Sequence, residues 1–552
     1  MKIAFVFLIT VLVATIGSVP VAGSVSVWIK DSMSLVMPAT KPPESLAKPV
    51  ADISLACGEF ESFQIVVRSE DSELHNVRLV ASDMIGPGGS KIPAGDVEWL
   101  QVGYVKINTA WWTEATCCMT PATNEPGWWP DPLLPVSRFN VTPDFSQSVW
   151  INVYAKPGLT PGMYKGNVTI TSDDTQPISV PINALVRSFE IPKGAGNFKT
   201  AFAMISDQSR RVLSQDIVDK HRILYGEFAL KNRLNPTDIY SPDTPKVSDL
   251  EHYYELGMNS YCVANPFDKH DEFKTKVRTF LSELGKSRYA KQLKKMAYVY
   301  GYDEALPAQW DDMEKLYGEV RKEFGLTTFT TAFIPQDPAA MKKRNVSWIC
   351  PLTGIDPQPD NQYDLEKAEE CRAAGYQVWA YVCCFPNYPY ANFNISRNPT
   401  IESRVLWWQA YHQKMDGVLY YALNLWARVG IGTPWNRGPI DPEKDGPLLK
   451  WNVTTGQPGQ SWSNLHGDGT LIYPGINGPI GSIRLANIRD GLEDYEYLYK
   501  YAQLCGSREK ARKACEHVTK TLETYTRKPS VLQGQRDKIA IEIEKLTGAK
   551  RH

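Results

Sequence analysis

Two adjacent carboxylic acids, Asp303 and Glu304, are the residues of this sequence best placed to do chemistry. They follow an apolar and aromatic run over residues 296–302 whose composition is typical of a buried β-strand. At the C-terminal end of a barrel strand, two carboxylates can divide the work of proton transfer and of stabilising a developing charge. The structural alternative is a salt bridge at the strand end, or a cap for a helix that begins near Pro307.

The N-terminus has the three-part pattern of a secretory signal peptide. Met1 and Lys2 precede an apolar run over residues 3–16, and small residues follow at positions 21–23. The apolar run is too short for a membrane-spanning helix, and no later run is long enough. We therefore expect residues 1–23 to be a signal peptide, and the mature protein to be secreted or lysosomal without a membrane span.

Charge and glycosylation motifs agree with this expectation. The formal net charge of −1 argues against a nucleic-acid partner, because such proteins usually carry a clear basic excess. Asn-X-Ser/Thr triplets are acceptors for N-linked glycans in secreted proteins, and the sequence contains them at Asn140, Asn167, Asn345, Asn394 and Asn452.

The 10 cysteines contain no CxxC pair, so no zinc or other metal site is expected. Cys505 and Cys515 bracket a short polar segment between two helical patterns, which makes them the best candidates for a local disulfide. Two pairs of cysteines are adjacent in sequence. These pairs are not expected to close on themselves, since neighbouring Cα atoms lie only about 3.8 Å apart.

Residues 24–192 have the pattern of a β-sandwich domain. Short strand-like runs at 26–29, 63–67, 149–154 and 166–170 are separated by turns rich in glycine and proline.

Residues 193–490 alternate between strand-like and helical patterns, which predicts a (β/α)8 barrel. Eight strand-like runs occur, at 198–205, 236–240, 260–265, 296–302, 329–334, 347–351, 378–384 and 418–426. An open, doubly wound sheet is the alternative, but no glycine-rich nucleotide-binding loop follows the first strand. A long segment rich in glycine and proline follows the eighth run, and residues 491–552 have the composition of C-terminal helices. The predicted fold is thus an N-terminal β-sandwich followed by a (β/α)8 barrel with C-terminal helices.

Several motifs resemble glycoside hydrolase family 123. The specific stretches are DGTLIYPG at 468–475, SIRL at 482–485 and RDGLEDYEYL at 489–498, and the resemblance is strongest from Lys294 to Leu498. The runs VWAYVCC at 378–384 and GVLYYALNLW at 417–426 are also similar to that family. The resemblance covers most of the chain, and the family's order of domains, a β-sandwich before a barrel, is the order predicted above.

The resemblance implies an exo-acting β-N-acetylgalactosaminidase that needs no cofactor. Its paired Asp and Glu would be Asp303 and Glu304 here. In substrate-assisted hydrolysis the 2-acetamido oxygen of the sugar attacks the anomeric carbon, so no protein nucleophile is needed. Glu304 would be the general acid and base, and Asp303 would orient the acetamido group and stabilise the oxazolinium ion. The implied partner is a glycan, on a glycolipid or an oligosaccharide.

A sugar site also needs flat apolar surfaces with polar edges. Five aromatic residues near the predicted strand ends, and two residues in the signature loop, are candidates for sugar contacts: Tyr302, Trp379, Tyr381, Trp426, Trp435, Asp468 and Tyr473. The alternative for each is packing in the core or bracing of the loop. The acidic residues at 490–494 are more typical of a helix start than of catalysis.

Two other functions remain open from the sequence. A hydrolase of the same fold could act on a different sugar, because the choice of galactosamine rests on the resemblance alone. A non-catalytic carbohydrate-binding protein could keep the same pocket, although the intact pair Asp303 and Glu304 argues against it.

Overall fold

A computed structural model describes residues 25–45, 47–107, 127–206, 214–354, 361–386, 388–395, 400–426, 461–462, 466–475 and 477–548. The predicted signal peptide, Trp435 and Asn452 lie outside these described residues.

The N-terminal part is a β-sandwich of two sheets. The first sheet contains β1 (Val25–Asp31), β3 (Glu59–Ser69), β7 (Val97–Ile107), β8 (Gly127–Leu134), β10 (Ser146–Ala155) and β21 (Ser461–Trp462). The second contains β2 (Ala51–Cys57), β4 (Leu74–Ala81), β5 (Met84–Ile85), β6 (Lys91–Ile92), β9 (Phe139–Val141), β11 (Gly162–Thr171) and β12 (Ile178–Glu190).

Strand β3 is buried on both faces of the first sheet. Ile65 and Val67 point into the core between the two sheets, whereas Gln64 and Arg68 are also buried, on the opposite face. A strand that is buried on both faces does not alternate between apolar and polar exposure. The outer face of the first sheet is therefore covered by the rest of the chain.

The second part of the chain is built on parallel strands. They are β13 (Lys199–Phe202), β14 (Tyr261–Cys262), β15 (Ala297–Tyr300), β16 (Thr327–Thr330), β17 (Trp348–Ile349), β18 (Gln377–Val378), β19 (Ala380–Val382) and β20 (Gly417–Tyr420). One sheet has the order β14-β15-β16-β17-β18 and the other has the order β13-β20-β19. Only Trp379 separates β18 from β19. Because β13 pairs with β20, the first and last strands are neighbours, as they are in barrels.

A complete eight-stranded barrel is nevertheless not established. The second predicted strand, 236–240, appears only as an isolated parallel bridge between Ala203 and Thr237. On the side of this segment that faces β14, side chains make the hydrogen bonds that a backbone ladder would make. The hydroxyl of Thr237 accepts the N–H of Cys262 (3.0 Å), and the amide of Asn235 donates to the hydroxyl of Ser260 (3.0 Å). The described residues thus form two parallel sheets within a mixed α/β domain.

Helices follow most of the strands. They are α1 (Gln215–Lys231), α2 (Val247–Glu255), α3 (His270–Leu284), α4 (Ala290–Met296), α5 (Trp310–Glu319), α6 (Pro338–Lys343), α7 (Leu365–Ala373), α8 (Glu402–His412), α9 (Ile483–Cys505), α10 (Arg508–Cys515) and α11 (Pro529–Leu546). The predicted domain boundary at residue 490 falls inside α9. No helix among the described residues is long and apolar enough to cross a membrane.

Helix α9 is buried along its N-terminal two thirds although it carries many charges. Its charged side chains pair with residues from every part of the fold. Asp494 accepts two hydrogen bonds from Arg404 of α8 (2.8 and 2.9 Å), and Glu493 accepts one from Arg233, just beyond α1 (3.0 Å). Arg484 makes a matching two-bond contact with Asp131 of the sandwich (2.9 and 2.8 Å). The RDGLEDYEYL motif is therefore a structural joint, and not merely a helix start.

The predicted disulfide between Cys505 and Cys515 is wrong, because both are free thiols in the structure. Cys505 is the last residue of α9, and Cys515 is the last residue of α10, an eight-residue helix about 12 Å long. The length of α10 therefore separates the two cysteines. The thiols instead contact carbonyl oxygens within their own helical turns, those of Ala502 and Ala511.

The predicted glycosylation sites differ in accessibility. Asn140 is exposed, and Asn167 and Asn345 are half-buried. Asn394 is only 3% exposed, so its side chain has no room for a glycan in this fold, and its prediction is corrected.

Removing Arg404, the arginine that pairs with Asp494 in the structural joint at α9, should destabilise the protein strongly. Arg404→Ala would remove the two-bond partner of Asp494 and one of the partners of Glu61, with Arg536 left as their remaining cation, and breaking a buried pair in this way costs about 3–5 kcal/mol. The matched variant Arg278→Ala removes a pair whose side chains are 55% and 40% exposed, where about 0–1 kcal/mol is expected. Thermal and denaturant unfolding would compare the two variants. Similar, small losses for both would show that the buried pair does not hold the domains together.

Candidate active site

The turn after β15 carries Asp303 and Glu304 in a conformation that side chains rarely adopt. Tyr302 and Glu304 have φ angles of 55° and 49°, in the left-handed region that normally favours glycine. Such backbone strain persists only where the surroundings hold it, and it is concentrated at functional sites.

Two threonines at the end of β16 hold this turn. The hydroxyl of Thr330 donates to the carbonyl of Tyr302 (2.8 Å), and the hydroxyl of Thr331 accepts the N–H of Glu304 (3.0 Å). Both contacts are available because parallel neighbours β15 and β16 end at the same edge of the sheet. The strand pairing therefore fixes where the two carboxylates stand.

Asp303 lies in a pocket of hydroxyl groups. Its carboxylate accepts hydrogen bonds from Tyr300 (2.5 Å), Thr331 (2.8 Å) and Tyr240 (3.3 Å). Burial raises the pKa of the Asp303 carboxyl, and these three hydroxyls act in the opposite direction. The site thus keeps a carboxylate in a poorly solvated place, where its charge acts strongly on anything bound beside it.

Glu304 is exposed and held by a different chain of contacts. The phenol of Tyr381 donates to its carboxylate (2.7 Å), and the buried amide of Asn361 donates to the same phenol oxygen (3.1 Å). Tyr381 is only 4% exposed, so it reaches Glu304 from within the fold. The two carboxylates are neighbours in sequence but have different environments. Asp303 is half-buried and accepts three hydroxyl hydrogen bonds, whereas Glu304 is exposed to solvent.

Of the six predicted sugar contacts that belong to the described residues, Tyr381 is the one with a hydrogen bond to the carboxylate pair. Trp379 is fully buried. It stacks on Trp348 with ring centroids 5.1 Å apart, and it leaves no room for a side chain at Gly417. Because Trp379 is enclosed in a buried aromatic cluster of the parallel-sheet domain, this position belongs to the core and not to a sugar site.

Trp426 and Tyr473 are also corrected to structural roles. The indole N–H of Trp426 donates to the carbonyl of Ile472 (2.7 Å), and the ring is 1% exposed. The phenol of Tyr473 donates to Asp131 (2.6 Å), beside Arg484. Both side chains brace the signature loop against the fold.

Tyr302 and Asp468 form hydrogen bonds with other protein side chains. The phenol of Tyr302 donates to Asp312 of α5 (2.7 Å), on the outside of the sheet. Asp468 is 1% exposed and accepts hydrogen bonds from Tyr420 (2.9 Å) and Tyr421 (2.8 Å), and burial raises its pKa to about 6. These contacts favour bracing over sugar binding. Trp435 lies outside the described residues.

Sequence reasoning missed four residues of the site, namely Tyr240, Tyr300, Thr331 and Asn361. The first three were accessible to it. Tyr240 is the last residue of the predicted strand 236–240, the same criterion that selects Asp303 and Glu304, whereas Tyr300 and Thr331 lie inside the predicted strands 296–302 and 329–334. Asn361 comes from a loop, and no pattern in the sequence indicates it. Among the described residues, no group of three or more His, Cys, Asp or Glu side chains could hold a metal ion.

Comparison with known proteins identifies a family. The model of the glycoside hydrolase 123 catalytic domain matches residues 238–500, and that of the glycoside hydrolase 123 N-terminal domain matches residues 57–172. A search of curated proteins finds no match.

Solved structures agree on the fold. A family 123 glycoside hydrolase from Clostridium perfringens, studied for glycolipid glycan hydrolysis, is 13% identical with a TM-score of 0.63. The alignment covers 95% of this chain and 98% of that one. A GH5 xyloglucanase from Bacteroides ovatus is 8% identical over 80% of this chain and 98% of its own. Its TM-score of 0.25 is too low to support any argument.

Neutralising Asp303 should stabilise the fold in a pH-dependent way. The pKa of its carboxyl is raised on folding, so the folded state is penalised once the group ionises. Below the usual pKa of 3.8 the carboxyl is protonated in both states, and the penalty vanishes. Asp303→Asn should therefore raise the melting temperature at pH 7 more than at pH 3. The exposed residue Asp271 provides the control variant Asp271→Asn. A lower melting temperature for Asp303→Asn at pH 7 would show that the three hydroxyls outweigh burial.

Proposed function

The chain belongs to glycoside hydrolase family 123, and we propose that it is a retaining exo-β-N-acetylgalactosaminidase acting on glycolipids or oligosaccharides. Family membership makes it a glycoside hydrolase whose substrate is a glycan. The observation that carries the finer proposal is the contrast between an enclosed Asp303 and an exposed Glu304 on one strained turn. The Clostridium perfringens family member acts on glycolipid glycans, which supports this class of substrate.

The adjacency of the two carboxylates favours substrate-assisted catalysis. A retaining enzyme with a protein nucleophile places its two carboxyl groups about 5–5.5 Å apart, on either side of the scissile bond. Asp303 and Glu304 share one turn and reach the sugar from the same side of the site. The nucleophile that this arrangement lacks is supplied by the acetamido oxygen of the substrate, which attacks the anomeric carbon and forms a bicyclic oxazolinium ion.

Glu304 is the residue suited to transfer protons. It begins protonated and gives its proton to the glycosidic oxygen as the bond to the leaving group breaks. In the second step its carboxylate takes a proton from water, which opens the oxazoline ring and restores the original anomeric configuration. A solvent-facing position suits both steps, since the leaving group departs there and water enters there. Tyr381 and Asn361 hold the carboxylate in place.

Asp303 is suited to guide the acetamido group. An ionised Asp303 accepts a hydrogen bond from the acetamido N–H and so points the acetamido oxygen at the anomeric carbon. Positive charge then develops on the ring that forms, and the carboxylate stabilises it in a place where water screens it little. The hydroxyls of Tyr240, Tyr300 and Thr331 favour the ionised form and keep it oriented.

We also propose that the protein enters the secretory pathway and functions outside the cell or in the lysosome. The support is the signal-peptide pattern of residues 1–23. Expression in a eukaryotic cell followed by N-terminal sequencing would test it. A mature chain that still begins at Met1 would contradict it.

Replacing the proposed acid should reduce the rate without unfolding the protein. Glu304→Gln should lose about 10²–10⁴-fold in kcat/KM, the usual contribution of such a group. Substrates with poor leaving groups should lose the most, because they depend most on protonation. Glu314→Gln, a variant of a partly exposed glutamate on α5, is the matched control. A folded Glu304→Gln enzyme with a near-normal rate would remove Glu304 from this role.

Sugar specificity can be measured with paired chromogenic substrates. The β-N-acetylgalactosaminide should be hydrolysed faster than the β-N-acetylglucosaminide, and a plain β-galactoside should be almost inert because it lacks the acetamido nucleophile. A thiazoline analogue of N-acetylgalactosamine should inhibit, because it mimics the bicyclic intermediate. Rapid hydrolysis of the plain galactoside, or a sugar trapped covalently on a carboxylate, would exclude the substrate-assisted route.

A further inference from the structure

Two exposed apolar side chains border the proposed catalytic turn. In the described part of the chain, 11 large apolar residues are substantially exposed, and nine of them lie on the sandwich or on the outer helices. The other two, Phe267 (50% exposed) and Leu306 (51% exposed), lie in the loops that follow β14 and β15. Single exposed apolar residues are normal on protein surfaces. These two follow β15, which carries Asp303 and Glu304, and its neighbour β14, and this position needs an explanation.

Phe267 is held in an unfavourable backbone conformation without being buried. Its φ angle is 42°, in the left-handed region that an aromatic residue rarely adopts. The side chain of Asn265 accepts its N–H (3.0 Å), and the N–H of Asn265 donates to Ser241 (2.7 Å), next to Tyr240. The loop is therefore fixed to the segment whose tyrosine contacts Asp303. Neither packing nor secondary structure accounts for a strained, solvent-facing ring here.

The same loop packs directly against the catalytic turn. A side chain added at Gly301 would lie 3.0 Å from the ring of Pro266, so the two loops are in close contact. On the other side of the turn, Ala305 is buried and its carbonyl accepts the indole N–H of Trp310 (3.1 Å). Leu306 is the next residue, so its backbone position is fixed by the buried Ala305 while its side chain remains exposed. Phe267 thus lies in a loop that contacts the turn at Gly301, and Leu306 lies two residues after Glu304; we call these two exposed side chains the apolar rim.

We propose that this rim is a leaving-group subsite that binds the second sugar of the glycan. The inference rests on the proposed function, and it adds the part of the substrate that the catalytic pair does not contact. A general acid must lie beside the glycosidic oxygen, so exposed residues that adjoin Glu304 meet the group attached to that oxygen. A pyranose has a face made of C–H groups, which packs on an aromatic ring and an aliphatic neighbour. The rim accordingly selects substrates with a pyranose at this position over those with a small aglycone.

The test compares two substrates whose leaving groups are both alkyl alcohols. One is the disaccharide of N-acetylgalactosamine β-linked to galactose, and the other is methyl β-N-acetylgalactosaminide. Phe267→Ala should lower the ratio of kcat/KM for the disaccharide to kcat/KM for the methyl glycoside by about 5- to 30-fold, since it removes an aromatic contact made only by the disaccharide. Leu306→Ala should lower the ratio in the same direction. Leu504→Ala, at a 39% exposed position near the end of α9, should leave the ratio unchanged.

Further arms separate this inference from the proposed function. An octyl glycoside shows whether the rim takes a lipid chain. If Phe267→Ala lowers the octyl-to-methyl ratio and not the disaccharide ratio, the sugar subsite is wrong. If the enzyme cleaves a different β-glycoside, then N-acetylgalactosamine is the wrong sugar in the proposed function. The ratio of disaccharide to methyl glycoside is then measured with the sugar that is cleaved, and it tests the leaving-group subsite separately.

Calorimetric binding measurements on an inactive variant test the proposed leaving-group subsite without any hydrolysis. In a Glu304→Gln background, Phe267→Ala should weaken binding of the disaccharide more than binding of N-acetylgalactosamine. Equal effects on both ligands would overturn the proposal.

Discussion

The buried two-bond contact between Arg404 and Asp494 is the interaction on which the arrangement of the whole chain depends. It joins α8 of the parallel-sheet domain to α9, and α9 in turn contacts the sandwich and α11. Burying a charge is costly unless the charge is paired and its remaining hydrogen bonds are satisfied. Trp408 supplies such a bond by donating its indole N–H to Asp494 (2.9 Å). The strictness of this geometry explains why the helix carries so specific a sequence.

The same joint has an excess of acid. Its fully or nearly buried carboxylates outnumber its arginines by five to four: Glu59, Glu61, Asp490, Glu493 and Asp494 against Arg233, Arg404, Arg489 and Arg536. Burial raises the pKa of Glu61 to about 8 and that of Glu493 to about 7. For a carboxyl whose pKa rises on folding, the protonated form stabilises the fold, and this stabilisation is lost as the pH rises through the folded pKa. The joint is therefore better suited to mildly acidic conditions than to a pH above 8.

The order of the two domains and the turn that carries Asp303 and Glu304 could be predicted from the sequence because both leave local signals. Short strands with glycine and proline turns indicate the sandwich, and an aromatic strand that ends in two carboxylates indicates Asp303 and Glu304. What the sequence could not predict is how far along the strands the packed interior extends, since residues i and i+2 share a face of a strand. Trp379 and Tyr381 are two residues apart around a strand end, yet the first is packed on Trp348 and the second reaches Glu304. The second predicted strand failed for a related reason, since the side chains of Asn235 and Thr237 make the contacts that a backbone ladder would otherwise make.

These differences follow from the constraint that a parallel-sheet core imposes on its own active site. Aromatic residues are abundant near the strand ends, but the interior must be filled before any side chain is free for a ligand, and Trp379, Phe329 and Trp348 fill it. The residues left for chemistry are those displaced from the regular strand path. Tyr302 and Glu304 both have left-handed backbone angles, so Asp303 and Glu304 turn out of the alternation that would have buried one of them in the core. The strain in this turn is thus the means by which two neighbouring carboxylates leave the regular strand path with different degrees of burial, and the hydrolysis mechanism proposed above uses that difference.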